Sequence, residues 1–139
     1  MEIASNRKLV LVIVGLTLLA SSSCSSAEGK IAEAAVTQFH KQYNAGQFQE
    51  IYSQADEGFK KSHNETDFVA VLEALRHKLG TVNQSSPRGS RGNATTLGEM
   101  VTLSCDIEFA KGKGTEKFIF LISGENATLF DYSVDSPQF

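Results

Sequence analysis

From Gly98 to Phe109 every second side chain is apolar: Val101, Leu103, Cys105, Ile107 and Phe109 alternate with Thr102, Ser104, Asp106 and Glu108. Alternation of period two over this length fits a strand with one dry and one wet face. A helix would scatter the same residues around its axis. The pattern recurs twice. Residues 116–122 put Phe118, Phe120 and Ile122 on one side and Ile119 and Leu121 on the other, and residues 127–134 group Phe130, Tyr132 and Val134. The links "AKGKGT" and "SGEN" are short and contain glycine, so the three strands form an antiparallel meander. Such a sheet has one apolar face that a second layer must cover.

The residues upstream supply that layer. In residues 28–45, Ile31, Ala35, Val36, Phe39 and Tyr43 recur every three to four positions, and Gly46 stops the helix. A short helix over residues 47–55 presents Phe48, Ile51 and Tyr52. A third, capped by Asn64 or Thr66, carries Phe68, Val71, Leu72, Leu75 and Leu79 and ends at Gly80. Between them and the meander, "TVNQSSPRGSRGNATT" is rich in Gly, Ser, Pro and Arg and reads as a loop or an exposed, irregular edge strand. The expected fold is α+β: N-terminal helices packed on a curved antiparallel sheet of three to four strands. With 139 residues, 41% of them apolar, the chain has room for one core, here residues 24–139.

The stretches "FHKQYNAGQFQEIYSQADEGFK", "LRHKLG", "GEMVTLSCDIEF", "EKFIFLI" and "FDYSV" together resemble small exported bacterial proteins of unknown function with the cystatin-like, or nuclear transport factor two-like, fold. The resemblance rests on Gly46, Phe48, Ile51 and Tyr52 at the turn between the first helices, and on Tyr132 and Val134 in the last strand. These are packing signatures, so they imply a fold and leave the activity open. Enzymes of that fold, the ketosteroid isomerase group among them, hold a carboxylate base inside the cone between helix and sheet. Here the inward face expected from the alternation, Val101 to Val134, offers only Tyr132 and Cys105 as polar groups, with no acid, histidine or lysine.

At the N-terminus Arg7 and Lys8 precede twelve uncharged residues, 9–20. As a helix these span about 18 Å, short of the roughly 30 Å that a membrane-spanning segment crosses, so residues 1–23 read as a signal peptide. The run Ser21, Ser22, Ser23, Cys24 resembles the lipobox of bacterial lipoproteins, which makes Cys24 the lipidation site and the membrane a partner. Ser25, rather than aspartate, after that cysteine implies by the same resemblance the periplasmic face of the outer membrane. Cleavage after Ala27, giving a soluble periplasmic or secreted protein, is the alternative. The net charge of -3 gives no electrostatic reason to bind nucleic acid.

No catalytic constellation, cofactor or metal site is expected. Glu73 and His77, four apart on a helix, read as a solvated pair; His40 and His63 suggest no site; Cys105 reads as a core thiol. Ligand-binding candidates are Arg76, as a partner for a carboxylate or phosphate, with Tyr132 and Tyr52. For Arg76 the competing reading is a surface salt bridge to Glu73 or another acid on its own helix. The expected function is a non-catalytic envelope module that binds a small hydrophobic ligand or an envelope protein. The alternative is a small hydrolase or isomerase using Tyr132 with Arg76 or Asp56.

Overall fold

The computed structural model describes residues 26–139, so Cys24, the apolar run 9–20 and the expected signal peptide lie outside the described residues. Four helices precede four strands: α1 (Ala27–Asn44), α2 (Phe48–Ser53), α3 (Glu57–Ser62), α4 (Glu65–Leu79), β1 (Val82–Thr95), β2 (Gly98–Phe109), β3 (Gly112–Ser123) and β4 (Asn126–Asp135). The strands form one open antiparallel sheet in the order β1-β2-β3-β4. Side-chain caps start three of the helices, with Ser26, Asp56 and Asn64 accepting from the backbone N–H of Gly29, Gly58 and Asp67. Each such cap contributes about 1 kcal/mol.

The helices cover the face of the sheet that carries Val101, Leu103, Cys105 and Ile107. These pack with Phe39, Tyr43, Leu72, Leu75, Leu79 and Phe118 into one core. The far end of α1 is tied to the start of the sheet. The Asn44 side chain both donates to Val82 O, at 3.0 Å, and accepts from Val82 N, at 2.8 Å; the Tyr43 hydroxyl donates to Gly80 O at 2.9 Å. Gly80 makes the turn from α4 into β1 with φ +81° and ψ −155°, a conformation essentially closed to residues with a Cβ.

The structure departs from the sequence reading in three places. A separate helix, α3, lies in the stretch between the expected second and third helices, where six residues are too few to show a period. It brings Phe59, fully buried, into the core. The strand β3 begins at Gly112, four residues before the expected start, so most of the link "AKGKGT" is strand; the polar stretch, by contrast, is the irregular edge strand expected of it, β1, with register shifts at Val82/Gln84 and Pro87/Gly89. Finally, Phe130 is not on the inward face. A bulge in β4 pairs Ile119 with Asp131 but Phe120 with Leu129, leaving Phe130 as the extra residue. Its ring lies against Gly58 of α3, and Leu129 takes the inward place. Downstream of the bulge the parity is restored, so Tyr132 and Val134 point inward as expected.

Candidate functional site

The inward face is not free of acids and histidines. Glu116 begins the same alternation as Phe118 and Phe120 and is 1% exposed, and His40, on α1 beside Phe39, is 7% exposed. The two meet: His40 Nε2 lies 2.5 Å from Glu116 Oε2, while the Tyr132 hydroxyl donates to Glu116 Oε1 at 2.6 Å. Around this polar trio Phe39 and Phe118 pack edge to face at 5.1 Å, and Tyr132 lies 4.9 Å from Phe39 and 5.2 Å from Phe118, ring centre to ring centre. Burial first, and the Glu116 charge second, hold the Tyr132 phenol well above its ordinary pKa. Both carboxylate oxygens have a partner, as a buried carboxylate requires.

The other side of Tyr132 opens onto a cavity of about 400 Å³ between the α3–α4 junction, the first turns of α4, and β4. Phe68, Val71, Tyr132, Val134 and Phe139 give it apolar walls; Ser62, His63, Asn64, Asp67 and Ser133 give it polar ones. Val71 and Phe139 are each 43% exposed and, with Leu97, are the exposed large apolar side chains among the described residues. His63 is held in place: its ring stacks on Phe59 at 4.2 Å, its Nδ1 lies 3.2 Å from Phe59 O, and its Nε2 is 3.7 Å from the Asp131 carboxylate. Tyr132 thus separates two environments. Its ring faces the cavity and its hydroxyl is spent on Glu116.

The other candidates are employed elsewhere. Arg76 does not line this cavity: it sits eight residues beyond Phe68, about 12 Å along α4. Instead of pairing with Glu73, it donates from Nη2 to Asn44 O at 3.1 Å, a cation on the last carbonyls of α1. Its Nε is buried and has no hydrogen-bond partner. The Tyr52 hydroxyl donates to His63 O at 2.8 Å and so fastens α2 to the end of α3. Asp56 caps α3. Cys105 is fully buried, and burial pushes its thiol up to about 11, which leaves it unreactive at neutral pH. Among the described residues no group of three His, Cys, Asp or Glu stands together to hold a metal ion.

The sequence reading gives Glu116 no role and treats His40 and His63 as suggesting no site; the structure buries the first two together and sets His63 on the cavity wall. For Glu116 the signal was there, since positions 116, 118, 120 and 122 share a face. For His40 it was the place one turn after Val36, on the buried stripe of α1.

No known protein family and no curated protein matches the chain. Among solved structures it is similar to Bdellovibrio bacteriovorus Bd1075, with 18% identity and a TM-score of 0.43, over 81% of this chain and 43% of that one. The chain therefore spans less than half the length of that protein, and a likeness of this degree carries no argument about activity.

Proposed function

We propose that this domain is a non-catalytic binding module of the bacterial cell envelope, with a cystatin-like fold, held at the membrane by a lipidated Cys24, and that the cavity beside Tyr132 takes a small hydrophobic ligand. The observation that supports this reading is the division made by Tyr132. The cavity has the volume and the mainly apolar, aromatic wall of a small-molecule site. Glu116, the one carboxylate buried in the core among the described residues, lies behind the Tyr132 ring with both oxygens engaged. General acid–base chemistry needs a titratable group within hydrogen-bond reach of the substrate; of the two on the cavity wall, His63 is stacked on Phe59 with its Nε2 beside Asp131, and Asp67 lies exposed in the first turn of α4, while Arg76 and Asp56 have structural duties away from the cavity.

The test is a titration with N-phenyl-1-naphthylamine, a neutral apolar fluorophore. Wild-type protein is expected to bind it saturably. Val71→Glu, a change at a partly exposed helix position on the cavity wall, is expected to bind about tenfold more weakly, or ~1.4 kcal/mol. Equal affinity for the two proteins would place the binding site elsewhere.

A further inference from the structure

We infer that the β1–β2 hairpin tip, with Leu97 at its apex, docks onto the lipid surface to which the chain is anchored; this inference rests on the reading of Cys24 as lipidated. Ser26 caps α1, so only Ser25 separates Cys24 from the first described residue of the domain. Two residues reach about 7 Å at most, so an acylated Cys24 holds the start of α1 against the headgroups.

That start lies at the hairpin end of the sheet. The α1 helix leaves beside Val82, the first residue of β1, through the Asn44 clamp, and it enters beside Ser90, whose Oγ would be 2.7 Å from a Cβ on Gly29. It therefore runs opposite to β1. From Ser90 the β1–β2 ladder continues for five more pairs, to Thr95 and Gly98, about 17 Å of strand. The tip thus projects past the point where α1 meets the sheet and outreaches the tether.

What projects is apolar. Leu97 is 64% exposed at the turn. Next to it the Leu121 side chain lies 3.4 Å from where a Cβ on Gly98 would sit, and Leu121 pairs with Met100 across the strands on the face the helices leave uncovered. Leu97, Met100 and Leu121 form an apolar cap at the anchored end, whereas the same sheet face further along carries Ser104, Asp106, Lys117 and Ser133. Glu99 and Glu125 stand at this end as well as Arg91, so the contact is driven by apolar burial and needs no anionic headgroup. The acyl anchor at Cys24 fixes the distance of the domain from the surface, and a second, apolar contact adds an orientation to it.

The experiment uses the full chain, processed in a bacterial host, purified in detergent and reconstituted into phosphatidylcholine vesicles. A fluorophore is attached through Leu97→Cys or, at the opposite end of the sheet, Lys113→Cys; Cys105 is buried and Cys24 is blocked when acylated. With doxyl-labelled lipid the Leu97→Cys label should lose fluorescence and the Lys113→Cys label should not. Aqueous iodide should show the reverse, at low and at high salt alike. Protein in the vesicle pellet with both labels unquenched by lipid overturns the docking and leaves the anchor standing. A Leu97→Cys label shielded from iodide but unquenched by lipid also overturns it, since a protein then covers the tip. Protein that stays in the supernatant overturns the lipidated Cys24 and the docking with it.

Discussion

Replacing Glu116 by alanine is expected to lower the melting temperature by about 12–20 °C. The carboxylate is 1% exposed and is the common partner of His40 and Tyr132. Its removal leaves an imidazole and a phenol inside the core with nothing to bond, and breaking one side of a buried polar network of this kind costs about 3–5 kcal/mol. At roughly 4 °C per kcal/mol for a domain of this size, that gives the stated drop. The size of the effect comes from stranding the partners, which a second variant separates out. When His40→Leu and Tyr132→Phe accompany Glu116→Met, no polar group is left unpaired, and most of the stability should return. Thermal unfolding followed by circular dichroism checks both. A Glu116→Ala protein melting within two or three degrees of wild type would mean that water reaches the carboxylate.

Phe118→Ala is expected to be comparably damaging. Phe118 is fully buried on the central strand β3. It packs against Phe39 from α1 at 5.1 Å, Tyr132 from β4 at 5.2 Å and, stacked, Phe120 on its own strand at 5.7 Å. Truncation opens a cavity where helix layer and sheet meet, and Phe→Ala in such a place costs about 3–5 kcal/mol. Its neighbour Ile119, with its side chain on the opposite face of the sheet, is the control: Ile119→Ala should cost well under half as much, because that face is only partly covered. Urea unfolding of the two variants gives the comparison. Equal losses would mean that the strand's two faces are buried alike.

The parts of this fold legible in the sequence are those where a period runs long enough to be counted. The stripe Ile31 to Tyr43 foretells α1, Phe68 to Leu79 foretells α4, and alternation foretells β2 and β3. Where the chain makes an element of six residues, as in α3, no period exists to read, and Phe59 entered the core without a signal. The bulge at Phe130 is illegible for a related reason: one extra residue reverses the parity of the positions before it relative to those after it, and nothing in "TLFDYSV" marks the place.

The site was harder still. Glu116 is readable by parity, but an acid at the start of the expected strand, residues 116–122, reads as wet, and only the meeting with His40, 76 residues away, makes its burial tolerable. The cavity combines Ser62 and His63 from the end of α3 with Phe68 and Val71 from α4, Tyr132 and Val134 from β4, and Phe139 from the chain end. Closeness of this kind is a product of the fold and leaves no local pattern.

The account turns on which side of Tyr132 a ligand occupies, and amide chemical shifts of isotope-labelled protein titrated with N-phenyl-1-naphthylamine measure that directly. The account predicts shifts that grow together at Phe68, Val71, Val134 and Phe139, with His40 and Glu116 unmoved. Shifts centred on His40 and Glu116, or on Phe120 and Leu129 at the other end of the helix–sheet interface, would contradict it.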